Sequence, residues 1–147
     1  MNKMQENFDL LSDRVLDALN KTNLEETRSI LSRIKTPTIV TGVGGSKVVA
    51  VFTSKILAAK NGIISTCLEP RDMLYTPVSG YDNVLSCSYS GTNFGVETSF
   101  RNELNKYLLS STRVPNITNI TYDTSIPKEH SFISLAATII PMTIMLD

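Results

Sequence analysis

An alternation constrains this chain more than any other feature. Short β-branched runs stop at glycine- or serine-rich turns, and helical periodicity follows each turn. Thr38-Ile39-Val40-Thr41 is such a run and halts at Gly42. From residue 47 to 59, Val48, Val51, Phe52, Ile56 and Leu57 then recur on or near one helix face, and Asn61-Gly62 closes the helix. Residues 63–67 predict a second strand. Residues 83–88 predict a third, entered from Ser79-Gly80-Tyr81-Asp82. Helical spacing resumes over 96–109, and the Ile- and Thr-rich stretch 116–122 predicts a fourth strand. Strands separated by helices are joined by crossovers, so the pattern implies an α/β fold with a parallel sheet and helices on both faces.

The ends of the chain are helical in pattern. Phe8, Leu11, Val15, Leu16 and Leu19 predict an amphipathic helix over 4–20. Thr22 and Glu25 have capping-box spacing for a second helix through residue 34, which Pro37 ends. This organisation reads as a helical lead over 1–36 and a single domain over 37–147. A last helix is expected over 130–146, kinked at Pro141 and apolar nearly all round. Such a surface asks for burial on several sides. A partner subunit or sequence outside this chain would cover it, or the helix would sit at the centre of a monomer's core.

Composition excludes several classes. Fourteen basic and fourteen acidic residues give zero formal charge, and no basic run appears, so nothing argues for nucleic acid or an anionic membrane surface. With one histidine, His130, and no CxxC spacing, no metal site is expected, and no cofactor either. Cys67 and Cys87 lie in apolar stretches and read as reduced core thiols of a cytoplasmic protein. The apolar stretch 132–146 is shorter than the roughly 18 to 20 residues of a membrane span.

Two loops carry the chemistry. In an open parallel sheet, ligands bind beyond the carboxyl ends of the strands. Gly42-Val43-Gly44-Gly45-Ser46 leaves the first strand, and its glycines, Gly44 and Gly45 among them, let the backbone approach a ligand. Ser46 falls at the next helix start, where free N–H groups and the helix dipole favour an anion. Ser88-Tyr89-Ser90-Gly91-Thr92-Asn93 leaves the third strand with several hydroxyls and an amide. Helix capping accounts for either loop alone. Two of them on neighbouring strands point to a phosphate held without lysine or arginine.

TGVGGSKVVA and SCSYSGTN together resemble the two phosphate loops of the sugar-isomerase (SIS) domain, written GxGxSxxxA and SxSGxT. The resemblance covers residues of about 37 to 123, with one strand and a short connection between the loops. It implies a flavodoxin-like three-layer α/β/α sandwich with a mainly parallel sheet. It also implies a sugar phosphate bound by Ser46, Ser88 and Ser90, helped by backbone around Tyr89 and Gly91. The motif's last hydroxyl falls on Asn93 here, with Thr92 one place early. A homodimer, or a second SIS lobe, is the assembly the family implies.

Catalytic assignments follow from aldose–ketose chemistry, in which a carboxylate moves a proton between C1 and C2 through an enediol. Glu97, about one helical turn past the second loop, is the candidate base; the plain alternative is a solvated carboxylate in a helix's first turn. His130 is a second candidate, with a surface position as its alternative. The segment 69–75 falls where arabinose 5-phosphate isomerase-like proteins carry an acid and a histidine. Asp72 and Tyr75 stand there in this chain, so Asp72 is read as a contact to sugar hydroxyls or as a turn residue. Two further readings remain beside isomerase: a non-catalytic sugar-phosphate sensor, and a nucleotide-binding α/β domain. GVGGS lacks both GxGxxG spacing and a P-loop GK[ST], which weakens the last.

Overall fold

Every strand among the described residues runs parallel to its neighbours. The computed structural model describes residues 2, 5–6, 9–92 and 94–121. In chain order the elements are α1 (Leu11–Lys21), α2 (Leu24–Ser32), β1 (Thr38–Thr41), α3 (Gly45–Asn61), β2 (Ser65–Leu68), a 3-10 turn (Asp72–Leu74), β3 (Asn83–Cys87), α4 (Phe94–Ser99), β4 (Asn105–Ser110) and β5 (Thr118–Thr121). The sheet order is β2-β1-β3-β4-β5. That is the flavodoxin-like order, as the resemblance implied, and its topological switch point lies between β1 and β3.

Alternation along the strands sorts the core into two layers. Val40 and Leu85 face α2 and α3, where they join Ile30, Leu31, Ile34, Val49, Ala50, Ile56 and Leu57. Ile39 and Val84 face the other side and meet Met73, Val78 and Leu104, with Phe100 packed against them. The central strands β1 and β3 are buried along their whole length, as expected of strands covered on both faces. α2 therefore belongs to the same core as the sheet. Gly62 ends α3 in the left-handed region at φ 65°, and its N–H returns to the Ala58 carbonyl.

Three sequence expectations shift. α2 is capped by Asn23, whose side chain accepts the Glu26 N–H at 3.0 Å, and Thr22 is buried instead. The helix expected over 96–109 is two elements. α4 ends at Ser99, where the Ser99 hydroxyl bonds back to the Gly95 carbonyl at 2.6 Å, and a turn through Arg101 leads to β4. Val96, Phe100, Leu104 and Leu108 have helical spacing, yet strand pairing on both sides claims the second half. Among the described residues the sheet thus has five strands, where four were expected. The helix expected over 130–146, with His130 and Pro141, lies outside the described residues. Among the described residues no helix is long and apolar enough to cross a membrane.

Candidate functional site

The two loops leave one edge of the sheet side by side, because β1 and β3 are hydrogen-bonded neighbours with Thr41 opposite Ser86. In the first loop, Gly42 packs on the next turn of chain. A Cβ there would stand 2.6 Å from the Ser46 carbonyl carbon and 3.0 Å from the Lys47 nitrogen. Gly44 has φ 57° and ψ −126°, a conformation open only to glycine, and it is the N-cap of α3. It has no side chain to cap the helix, and within that first turn the Lys47 N–H donates to the Gly44 carbonyl at 3.1 Å, which leaves the helix dipole and the Gly45 N–H to favour an anion. Gly45 is exposed and Ser46 half-buried in this first turn; the Ser46 N–H donates to the Val43 carbonyl at 3.1 Å.

The second loop is fastened from below and behind. Ser88 is buried, its N–H continues the ladder to the Leu109 carbonyl at 2.9 Å, and its hydroxyl oxygen accepts the Gly91 N–H at 3.1 Å. Ser88 therefore lies under the loop and shapes it. Behind, the Tyr89 carbonyl accepts the Ser111 N–H at 3.0 Å and its hydroxyl at 2.7 Å. The Ser90 carbonyl accepts the Thr112 hydroxyl at 2.6 Å. In a trans peptide the N–H points opposite to the carbonyl, so tying the Tyr89 carbonyl back turns the Ser90 N–H away from β4. The Ser90 hydroxyl accepts from the Thr92 N–H and hydroxyl, each at a long 3.4 Å, and Thr92 is exposed. Gly91 sits at φ 71°, pressed on this support. Asn93 lies outside the described residues.

The run Ser110-Ser111-Thr112, at the carboxyl end of β4, is the part that sequence reasoning missed. Its hydroxyls were legible, but they followed a segment read as helix, which hid their place beside the second loop.

The expected acid–base groups are less organised. Glu97 is exposed in the first turn of the six-residue α4. Asp72 is exposed and opens the 3-10 turn, where its carbonyl accepts the Tyr75 and Thr76 N–H groups at 3.1 and 2.9 Å. Tyr75 is 83% exposed. His130 lies outside the described residues. A second missed feature is an ion pair between Lys47, one residue after Ser46, and Glu69, one residue after β2. The hydrogen bond and charge of Glu69 raise the Lys47 ammonium above its ordinary value, with a smaller contribution from Asp72. Lys47 and, more weakly, Arg71 hold the Glu69 carboxyl below its own.

Neither cysteine is poised as a nucleophile. Burial pushes the Cys67 thiol up against the pull of Lys47, and full burial pushes Cys87 well above the ordinary thiol range. Among the described residues no group of His, Cys, Asp and Glu could hold a metal ion. A shallow groove of about 530 Å³, lined by Asn105, Lys106, Tyr107 and Thr118 among others, lies at the amino ends of β4 and β5, away from the two loops.

Among the described residues, a five-stranded parallel sheet in this order, with paired Gly- and Ser-rich loops at its switch point, is consistent with the three-layer α/β SIS fold. Comparison with known proteins agrees. No family profile and no curated protein sequence matches the chain. Solved structures do match. The C-terminal domain of glucosamine-fructose-6-phosphate aminotransferase from Francisella tularensis superposes with a TM-score of 0.74 at 15% identity, over 97% of this chain and 43% of that one. The Vibrio vulnificus NanR protein complexed with ManNAc-6P gives a TM-score of 0.72 at 13% identity, over 99% of this chain and 61% of that one. An Escherichia coli protein in complex with arabinose 5-phosphate gives 0.67 at 13% identity, over 99% of this chain and 90% of that one. The chain spans less than half of the first and about three-fifths of the second. At these identities the likeness establishes the fold.

Proposed function

We propose that this chain binds a sugar phosphate at the β1/β3 switch point, with the phosphate between the first turn of α3 and the second loop. One observation carries the reading. The second loop is tied back through Ser111 and Thr112, so the Ser90 N–H is presented outward beside an α3 N-terminus without a side-chain cap. Ser46, Ser90 and Thr92 supply hydroxyls to the anion, Gly44, Gly45, Tyr89 and Gly91 shape its backbone surroundings, and Ser88 holds the loop in form. Asn93 completes the motif as an amide. The two neighbours complexed with ManNAc-6P and arabinose 5-phosphate support the same ligand class.

The reaction that fits such a ligand is aldose–ketose isomerisation. In it, Glu97 takes the proton from C2 of the open-chain aldose and returns it to C1 while the O2 proton passes to O1 through the enediol, and His130 assists ring opening. A homodimer in the cytoplasm is the proposed working form. Val43 on the first loop, Val48 and Val51 on α3, Leu74 and Tyr75 at the 3-10 turn and Phe94 at the start of α4 are exposed apolar residues, which supports a covering subunit. The second reading, a non-catalytic sensor of the same ligand, is favoured by a specific observation: Glu97 and Asp72 are both exposed, without the burial that fits a carboxylate for base catalysis near neutral pH.

The test is a thermal-shift and calorimetric screen of sugar phosphates, their unphosphorylated sugars, inorganic phosphate and nucleotides. A sugar phosphate raises the melting temperature, its free sugar does not, and Ser90→Ala removes the shift. Preference for a nucleotide, or no phosphorylated ligand at all, overturns the reading. Turnover by the unaltered chain that Glu97→Gln abolishes, with binding kept, selects the isomerase over the sensor.

A further inference from the structure

We infer that Lys47 and Glu69 together form the subsite for the ligand's far end and select a neutral polyol over a sugar acid. This rests on the sugar-phosphate reading and adds an orientation to it. The carboxyl ends of β2, β1 and β3 lie in a row, carrying Glu69, then the first loop with Lys47, then the second loop. Neighbouring strands are spaced about 4.8 Å apart, so the row from β3 to β2 measures about 10 Å. A phosphate held at the β3 end therefore sends a five- or six-carbon chain across the first loop toward β2, where the Lys47–Glu69 pair waits.

The charges of the row fix which end goes where. The described residues 88–92 of the second loop offer hydroxyls and amides and no ionised side chain, a cradle suited to an anion through oriented dipoles. Lys47, the one cation in the first turn of α3, is already neutralised by Glu69, and Asp72 is close enough to add to the field it feels. The pair is thus a poor second anion site. It suits a vicinal diol, because the carboxylate accepts from one hydroxyl while the ammonium donates to the next. Both side chains keep substantial exposure, 49% and 38%, so hydroxyls can reach them and opening the pair costs little. A ligand carboxylate in the same place would face Glu69 and Asp72 with the Lys47 ammonium engaged, and only the exposed Arg71, whose charge acts more weakly on Glu69, would oppose them.

The experiment is calorimetric titration of the full chain with inorganic phosphate, fructose 6-phosphate, arabinose 5-phosphate and 6-phosphogluconate. It compares the unaltered protein with Glu69→Gln and Lys47→Met, each checked for an unchanged melting profile. The inference expects both variants to lose about tenfold in affinity for the sugar phosphate while keeping their affinity for inorganic phosphate. It also expects Glu69→Gln to shift preference toward 6-phosphogluconate by a similar factor, since Lys47 is then released. Sugar phosphate and inorganic phosphate changing in parallel, or neither changing, refutes the subsite and leaves the cradle standing. No binding of any of these probes by the unaltered chain refutes the cradle, and the subsite falls with it.

Discussion

Gly91→Ala tests whether the back support of the second loop shapes the site. Gly91 has φ 71°, and an added Cβ would sit 3.1 Å from the Ser110 hydroxyl, 3.1 Å from the Thr112 hydroxyl and 3.2 Å from a Leu108 methyl. Two costs combine. The left-handed conformation costs a non-glycine residue about 1 to 2 kcal/mol. Crowding against three partners costs about 1 kcal/mol more, or forces the loop off Ser110 and Thr112. Gly62 isolates the first cost, because it sits at a similar φ of 65° with nothing within 4 Å of its Cβ position. Urea denaturation should therefore show Gly62→Ala losing about 1 to 2 kcal/mol and Gly91→Ala about 2 to 3 kcal/mol. The added loss should go with a roughly tenfold or greater fall in sugar-phosphate affinity, while Gly62→Ala binds as the parent does. Equal losses at the two glycines, with binding intact in both, would refute the argument that the pinned loop makes the cradle.

Asn23→Ala removes the cap of α2 and should lower stability by about 1 kcal/mol, read from the denaturation midpoint, with Asn23→Asp keeping most of it. The Lys47–Glu69 pair gives a pH signature. The Glu69 carboxyl is lowered from its ordinary 4.5, so its contribution is present above that value and fades as pH falls through the folded one. The Lys47 ammonium is raised from 10.5, so its contribution is present below that value and fades as pH rises through the folded one. Any stability difference between the parent and Glu69→Gln should therefore be confined to the interval between these limits and vanish at its acid end; a difference that persists in strong acid contradicts the pairing.

Much of this architecture was legible because the central strands advertise themselves. Thr38–Thr41 and Asn83–Cys87 are buried on both faces, so their β-branched and apolar runs stop where their loops begin. Gly44 and Gly91 were legible as loop glycines, and both adopt positive φ. The segment from Val96 to Leu109 was not legible, because its apolar residues fall at intervals of four. A helix and a half-buried strand compete for that spacing, and what decides is the neighbouring β3 and β5, which no local window contains. The Lys47–Glu69 pair was hidden for the same reason, since it joins residues that only the packing of α3 over β1 and β2 brings together. The two omissions bear directly on the site. Without β4 in the sheet there is no Ser110-Ser111-Thr112 behind the second loop, and without the ion pair the first loop carries an uncompensated cation. The serine motif alone names a loop that could hold an anion. The strand behind it and the carboxylate beside it give that loop a direction, with hydroxyls and amides toward β3 and a neutral donor–acceptor pair toward β2.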